Sequence, residues 1–184
     1  IRMIVPGPFM KKAMKGELPL LQVAQSLQGE LLMMMPEEIG DEPLAQEKYL
    51  VKNAKKIAVL AAGAAAQRFM TKLDQEQEVL VNIANIANQL YAMESVVIRT
   101  EKAIARDGVE KAAQKILYTQ IFCQEAFAII EAEAKDTLLA SVEGDAGRMT
   151  LSALRKLTRN NPYNLIPKKR EAAAKLIEAE KYVV

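Results

Sequence analysis

Val79, Ile83, Ile86, Leu90, Met93 and Val97 follow one another at intervals of 4, 3, 4, 3 and 4 residues. This spacing lines one face of a helix and matches the seam of helices packed at about +20° in a bundle. It predicts a helix over residues 75–105. Asp74 is expected to cap its start, with Gln77 three residues on as the capping-box partner. The Arg106-Asp107-Gly108 turn should end it, because glycine commonly terminates helices. Asn82, Asn85 and Gln89 fall on another face, where they are expected to meet solvent or form a polar crossing.

The segments on either side carry the same signal. Leu50, Ala54, Ile57, Ala61, Ala65 and Phe69 mark the buried stripe of a helix that starts near Pro43 and frays over Met70 to Leu73. Pro43 suits a first helical turn. Val109, Ala112, Ile116, Thr119, Cys123, Phe127, Ile130 and Leu138 predict a third long helix over 109–142. Shorter helices are expected from Pro8 to Lys15, stopped by Gly16, and within 17–35. In the latter, Leu20, Ala24, Leu27, Leu31 and Met34 share one face before Pro36 breaks the pattern. Two more are expected near the end. One spans Arg148 to Arg159, and one is opened by Pro167 and carries the helical pair Glu171 and Lys175. "EGDAGR", from Glu143 to Arg148, reads as a plain helix–helix turn.

Each long helix of about 30 residues spans roughly 45 Å, and short connections force neighbours to run antiparallel. The expected fold class is all-α. It is an antiparallel up-down helical bundle of three long helices plus shorter N- and C-terminal helices. Its fourth side should be closed by the 17–35 segment or by the C-terminal helices. The small residues of "KKIAVLAAGAAAQ", Lys55 to Gln67, predict the tightest helix crossing. The uncharged run inside that stretch, Ile57 to Ala66, is far shorter than the roughly 20 residues of a membrane span.

Composition adds mainly exclusions. The 184 residues are half hydrophobic, enough for a real core, and the chain is rich in helix formers. A net charge of +2 built from many charges of both signs gives no reason to expect nucleic acid. There is no histidine, which removes Ser-His-Asp and Cys-His pairs, imidazole metal ligands and the Glu-x-x-His di-iron pattern. One cysteine builds neither a disulfide nor a zinc or iron–sulfur site, and it fits a reducing, intracellular compartment. Cys123 lies within an apolar stripe and is expected to be a small, inert, buried side chain. No phosphate-binding glycine motif is present.

The ordered segments carry a resemblance. "IRMIVPGPFMKKAMKGELPLLQ" resembles the exit of the catalytic domain in long- and very-long-chain acyl-CoA dehydrogenases. Arg2 and the Met3-Ile4-Val5 run look like the Arg and short apolar run after that family's Glu-Gly-Thr motif. "NIANQLYAMESVVIRTEKAI" (Asn85 to Ile104), "FCQEAFAIIEAEA" (Phe122 to Ala134) and "TRNNPYNLIP" are similar to later segments of the family.

The resemblance implies that residues 1–15 end a preceding catalytic-domain segment and that 16–184 form the C-terminal bundle domain. It implies a parent enzyme of fatty acid β-oxidation. There, a glutamate upstream of Ile1 removes the α-proton of an acyl-CoA and the flavin of FAD takes the β-hydride. No catalytic, cofactor-binding or metal-binding residue is carried over to this chain, and Glu131, Glu133 and the other carboxylates read as solvated helix charges. The implied partners are the remainder of the parent dehydrogenase and a second subunit, with a role in subunit packing or docking. The alternative is a free-standing helical adaptor or peripheral lipid-surface protein without enzymatic activity.

One segment invites a surface role. Lys11, Lys12 and Lys15 precede the apolar face of Leu20, Leu27, Leu31 and Met34, as in helices that lie on a membrane. The competing expectation is that this face closes the bundle, since its polar side (Gln22, Gln25, Gln28 and Glu30) is not basic.

Overall fold

The computed structural model describes residues 6–33 and 37–181. Among the described residues, seven α-helices follow one another: α1 (Pro6–Met14), α2 (Leu20–Leu32), α3 (Ala45–Phe69), α4 (Gln77–Asp107), α5 (Ala113–Ser141), α6 (Gly144–Thr158) and α7 (Leu165–Ala179). The described residues contain no strand, so the chain is all-α as its periodicity predicts. Pairs of side chains fix the directions of the long helices. Lys48 faces Glu101 and Lys55 faces Glu94, so α3 and α4 are antiparallel. Asn85 reaches Glu133 and Thr100 meets Thr119, so α4 and α5 are antiparallel too.

The main core lies between these three helices. Leu50, Ala54, Ile57 and Ala61 of α3 meet Ile86, Met93 and Val97 of α4 and Cys123, Phe127, Ile130 and Leu138 of α5. Leu27 and Leu31 of α2 and Leu154 and Leu157 of α6 complete the same cluster. Both expected closures therefore operate together, α2 across α3 and α6 against α3 and α5. The 4-3-4-3-4 seam points inward as predicted, with Leu90 half-buried and its other members buried.

A second cluster sits at the other end. Met10 and Ala13 of α1 pack with Leu20, Ala62, Ala65, Leu80 and Ile83. Met10 and Ala13 of α1 thus share a core with α2, α3 and α4.

The small-residue stretch makes a close helix–helix approach. A Cβ placed on Gly63 would lie under 3.0 Å from the Cβ of Ala24, so α2 and α3 touch through a glycine. Ala61, Ala62, Ala64, Ala65 and Ala66 are all buried around it. Among the described residues, no helix is long and apolar enough to cross a membrane.

Four local expectations change. Asp74 does not cap α4: it lies exposed in a 3-10 turn, Met70–Gln75, and Glu76 occupies the cap position without a side-chain bond. The cause is Leu73, whose burial tucks that turn into the second cluster. Val109 is 48% exposed, because the chain makes a turn after Gly108 (φ +85°) and α5 begins only at Ala113. "EGDAGR" is the first turn of α6 from Gly144 on, not a loop, and only Val142 and Glu143 link α5 to α6. Finally, α7 starts at Leu165, two residues before Pro167. The side chain of Asn164 accepts the Ile166 N–H at 3.1 Å, and Pro167 falls in the first turn, where a missing N–H costs nothing.

Candidate functional site

One face of the first half of α3 holds the segment that joins α6 to α7. Asn53 Nδ2 donates to Leu157 O at 3.0 Å, Tyr49 Oη to Arg159 O at 3.2 Å, and Gln46 Nε2 to Asn161 O. Side chains three and four residues apart on a helix share a face, while carbonyls two apart on an extended chain point the same way. Here α3 satisfies the Leu157 carbonyl in the last turn of α6 and the Arg159 and Asn161 carbonyls of the segment after it.

Glu47 lies beside that face. It is 1% exposed, and neither carboxylate oxygen has a hydrogen-bond partner. Burial raises its pKa above the usual carboxylate value, opposed by its own backbone N–H, the Tyr163 hydroxyl and the charge of Lys168. The same surroundings act on the neighbours. Burial, then the Glu47 charge, pushes the Cys123 thiol up to about 12, and the same two causes raise Tyr163. Lys168 Nζ donates to Gln120 Oε1 at 2.6 Å and stands 4.6 Å from the centre of the Tyr163 ring. A pocket of about 420 Å³ opens next to Glu47, walled by the segment 39–47, Val109, Ile116, Gln120, Asn161 and Tyr163. Leu44 in that wall has a left-handed backbone (φ +66°), held by a side chain that is 2% exposed.

A larger groove of about 900 Å³ runs between α2 and α6 over α3. Its floor is apolar, with Leu31, Leu60 and Ala64. Its cations are engaged, Arg68 with Glu143 at 2.9 Å and Lys156 with Leu31 O at 3.1 Å.

The residues singled out from the sequence fall in different places. Leu20, Leu27 and Leu31 are 7%, 6% and 2% exposed and face the bundle. In this arrangement they offer no free surface to a membrane or partner. Met34 lies outside the described residues, as do Arg2 and the Met3-Ile4-Val5 run. Cys123 is fully buried. Glu131 is exposed, as a solvated charge should be, but Glu133 is not simply solvated. It accepts from Asn85 Nδ2 at 2.8 Å, and Asn82 Nδ2 reaches its other oxygen at 2.8 Å once that amide is oriented to donate. The polar crossing expected of Asn82 and Asn85 is this clamp. Glu47 escaped the sequence reading because "AQEKYL" places it among charged residues at the polar-looking start of a helix. Only its spacing from Leu50 and Ala54, three and seven residues on, signals the buried side.

Residues 53–156 match the family model described as "Acyl-CoA dehydrogenase, C-terminal domain", more than half of the chain. The chain belongs to this family. It is 66% identical over 183 residues to a Bacillus subtilis (strain 168) protein described as "Probable acyl-CoA dehydrogenase". That match takes in 100% of this chain and 31% of the relative. A solved structure described as acyl-CoA dehydrogenase complexed with FAD from Bacillus anthracis superposes with a TM-score of 0.93 at 65% identity. It too is covered over 31% of its length, against 100% of this chain. The chain therefore spans about a third of these relatives. The family-matched region runs from Asn53 in α3 to Lys156 in α6 and contains the whole of α4 and α5. Glu47 and Tyr163 lie just outside it on either side.

Proposed function

We propose that this acyl-CoA dehydrogenase C-terminal domain is a non-catalytic part of an FAD-dependent acyl-CoA dehydrogenase. It serves the packing or docking of the parent enzyme. The observation that carries the reading is the 66% identity over the whole chain to about a third of a dehydrogenase-type protein. The described residues present no group of three His, Cys, Asp or Glu side chains suited to a metal, and the thiol is buried with a raised pKa. An intracellular, reducing setting suits that lone thiol.

The outer face of α4 is the surface we assign to docking. Tyr91 is 76% exposed and Ile98 44%, one heptad apart and away from the core seam. Aromatic and aliphatic side chains left in water on one stripe mark an interaction site better than scattered ones do. The occupant is the remainder of the dehydrogenase or a second subunit. The test is to purify the chain alone and to mix it with the flavin-bearing remainder of its polypeptide produced separately. The chain alone should be colourless and strongly helical, should oxidise no acyl-CoA, and should associate in trans. Doubling Tyr91→Ala with Ile98→Ala should abolish association with helicity unchanged. A yellow chain carrying stoichiometric flavin would overturn the reading.

A further inference from the structure

The core clusters take their last residue from α6. Leu157 is fully buried in the main cluster, and no described residue after it belongs to either one. Of residues 158–181, only Ala172 is buried, and the rest are half-buried or exposed. Ile166 and Ile177 of α7 stand 62% and 77% exposed. The segment after α6, together with α7, is therefore an arm laid on the bundle rather than built into its core. Polar contacts hold it there. From α3, Tyr49 and Gln46 donate to the Arg159 and Asn161 carbonyls. From α5, Gln120 accepts from Lys168, and Glu125 pairs with Lys169. Both members of that ion pair are exposed (47% and 51%), so it adds little. A unit with few buried apolar side chains, tied by bonds that water can replace, opens at a lower free energy than the core beneath it.

Glu47 of α3 lies beneath this arm, 1% exposed and with both oxygens unpartnered. Two of the groups that act on it, the Tyr163 hydroxyl and the Lys168 charge, belong to the arm itself. Cys123 comes from α5, and its thiol keeps its proton up to about pH 12. Asp41 and Glu42, on the segment before α3, are exposed and share a pocket wall with Glu47. Lifting the arm returns Glu47 to water, where an ionised carboxylate is well solvated. Closing the arm removes that water and offers one hydroxyl and a lysine already committed to Gln120.

We propose that residues 159–181 lift from the bundle as one unit, hinged after Thr158, and that ionisation of Glu47 beneath them drives the lifting. The closed arm favours the protonated carboxyl, whereas the lifted arm leaves it near its ordinary value. The closed state therefore binds more protons. The arm is shut at low pH and lifts increasingly as pH rises above 4.5, until the carboxyl ionises in the closed state too. Lys168 opposes this trend, because its charge favours the carboxylate while the arm is down. Lifting bares Gln46, Glu47 and Tyr49 of α3 and leaves both core clusters intact, since neither draws on the arm.

The test is amide hydrogen exchange of the full chain from about pH 4.5 to 8, corrected for the pH dependence of intrinsic exchange. Amides from Lys169 to Ala179 should share one protection factor, about tenfold or more below those of α4 and α5. That factor should fall as pH rises, by at most about tenfold per pH unit, the limit for one linked proton. Glu47→Gln should remove the fall and leave α7 protected throughout the range. Lys168→Met keeps an aliphatic stem and removes the charge. It should cost α7 more protection at neutral pH than at the acid end, where Glu47 is protonated, and it carries the test should Glu47→Gln fail to fold. Three results would each overturn the proposal: protection of α7 equal to that of α4, no pH dependence in the unsubstituted chain, or a pH dependence that survives in Glu47→Gln. An equal loss at both ends of the range in Lys168→Met would do the same.

Discussion

Gly63 of α3 stands directly against Ala24 of α2, so that a methyl on one would overlap the methyl of the other. Two effects oppose each other in Gly63→Ala. Alanine is the better helix former by about 1 kcal/mol. Overpacking a tight crossing costs about 1–3 kcal/mol, and here the obstructing atom is a Cβ with no rotamer to escape into. Overpacking wins, so Gly63→Ala should lower stability in chemical denaturation. Adding Ala24→Gly should restore part of the loss, a non-additivity that a double-mutant cycle reads directly. Additive losses would show that the two positions do not touch.

The α4 seam gives a graded series. Ile86 is 1% exposed and central, and Ile86→Ala should cost about 2–5 kcal/mol, as large-to-small changes in a core do. Leu90 shares the seam but is only half-buried, so Leu90→Ala should cost less. Asn85→Ala removes a donor from the half-buried Glu133 and should cost about 1.5–3 kcal/mol, the range for hydrogen bonds to charged groups. A urea midpoint for Asn85→Ala at or above that of the unsubstituted chain would show that the clamp adds nothing.

These cases separate what was legible in the sequence from what was not. Ile86 and Gly63 were readable because a helix translates residue spacing directly into a face, and small side chains into close approach. The cap of α4 was not, because Asp74 and Gln77 form a valid local motif that the burial of Leu73 overrides. Val109 fits the periodicity of α5, yet Gly108 turns the chain and leaves it in solvent. Glu47 was hidden for a different reason. Its burial depends on Tyr163 and Asn161, more than a hundred residues away, and helical spacing within one segment carries no information about what arrives from another. The grip of Gln46, Tyr49 and Asn53 on the α6–α7 segment was illegible on the same ground.

Cys123 should be chemically silent in the native chain. Its side chain is fully buried, and its thiol titrates near 12, so almost no thiolate exists at neutral pH. A thiol-reactive aromatic disulfide should leave it unmodified over hours at pH 8 and label it at once in denaturant. Labelling under native conditions at the rate of a free peptide thiol would mean that α5 does not pack as observed.

Glu47 sets the sign of a pH dependence. Its pKa in the folded chain is raised above the ordinary 4.5, chiefly by burial. Below pH 4.5 the carboxyl is protonated in both folded and unfolded chains, and it contributes nothing to the difference between them. As pH rises through 4.5, the unfolded chain releases the proton while the folded chain retains it or holds a buried, unpaired charge. Folding is therefore penalised increasingly from pH 4.5 up to the folded pKa, and the penalty is constant above that. Glu47→Gln keeps the shape and removes the titration. Its melting temperature should exceed that of the unsubstituted chain at pH 7, and the gap should close as pH is lowered through 4.5. A Glu47→Gln variant less stable than the parent chain at pH 7, and level with it at pH 4, would reverse the sign. The folded chain would then already hold the charged form of Glu47 in a favourable setting.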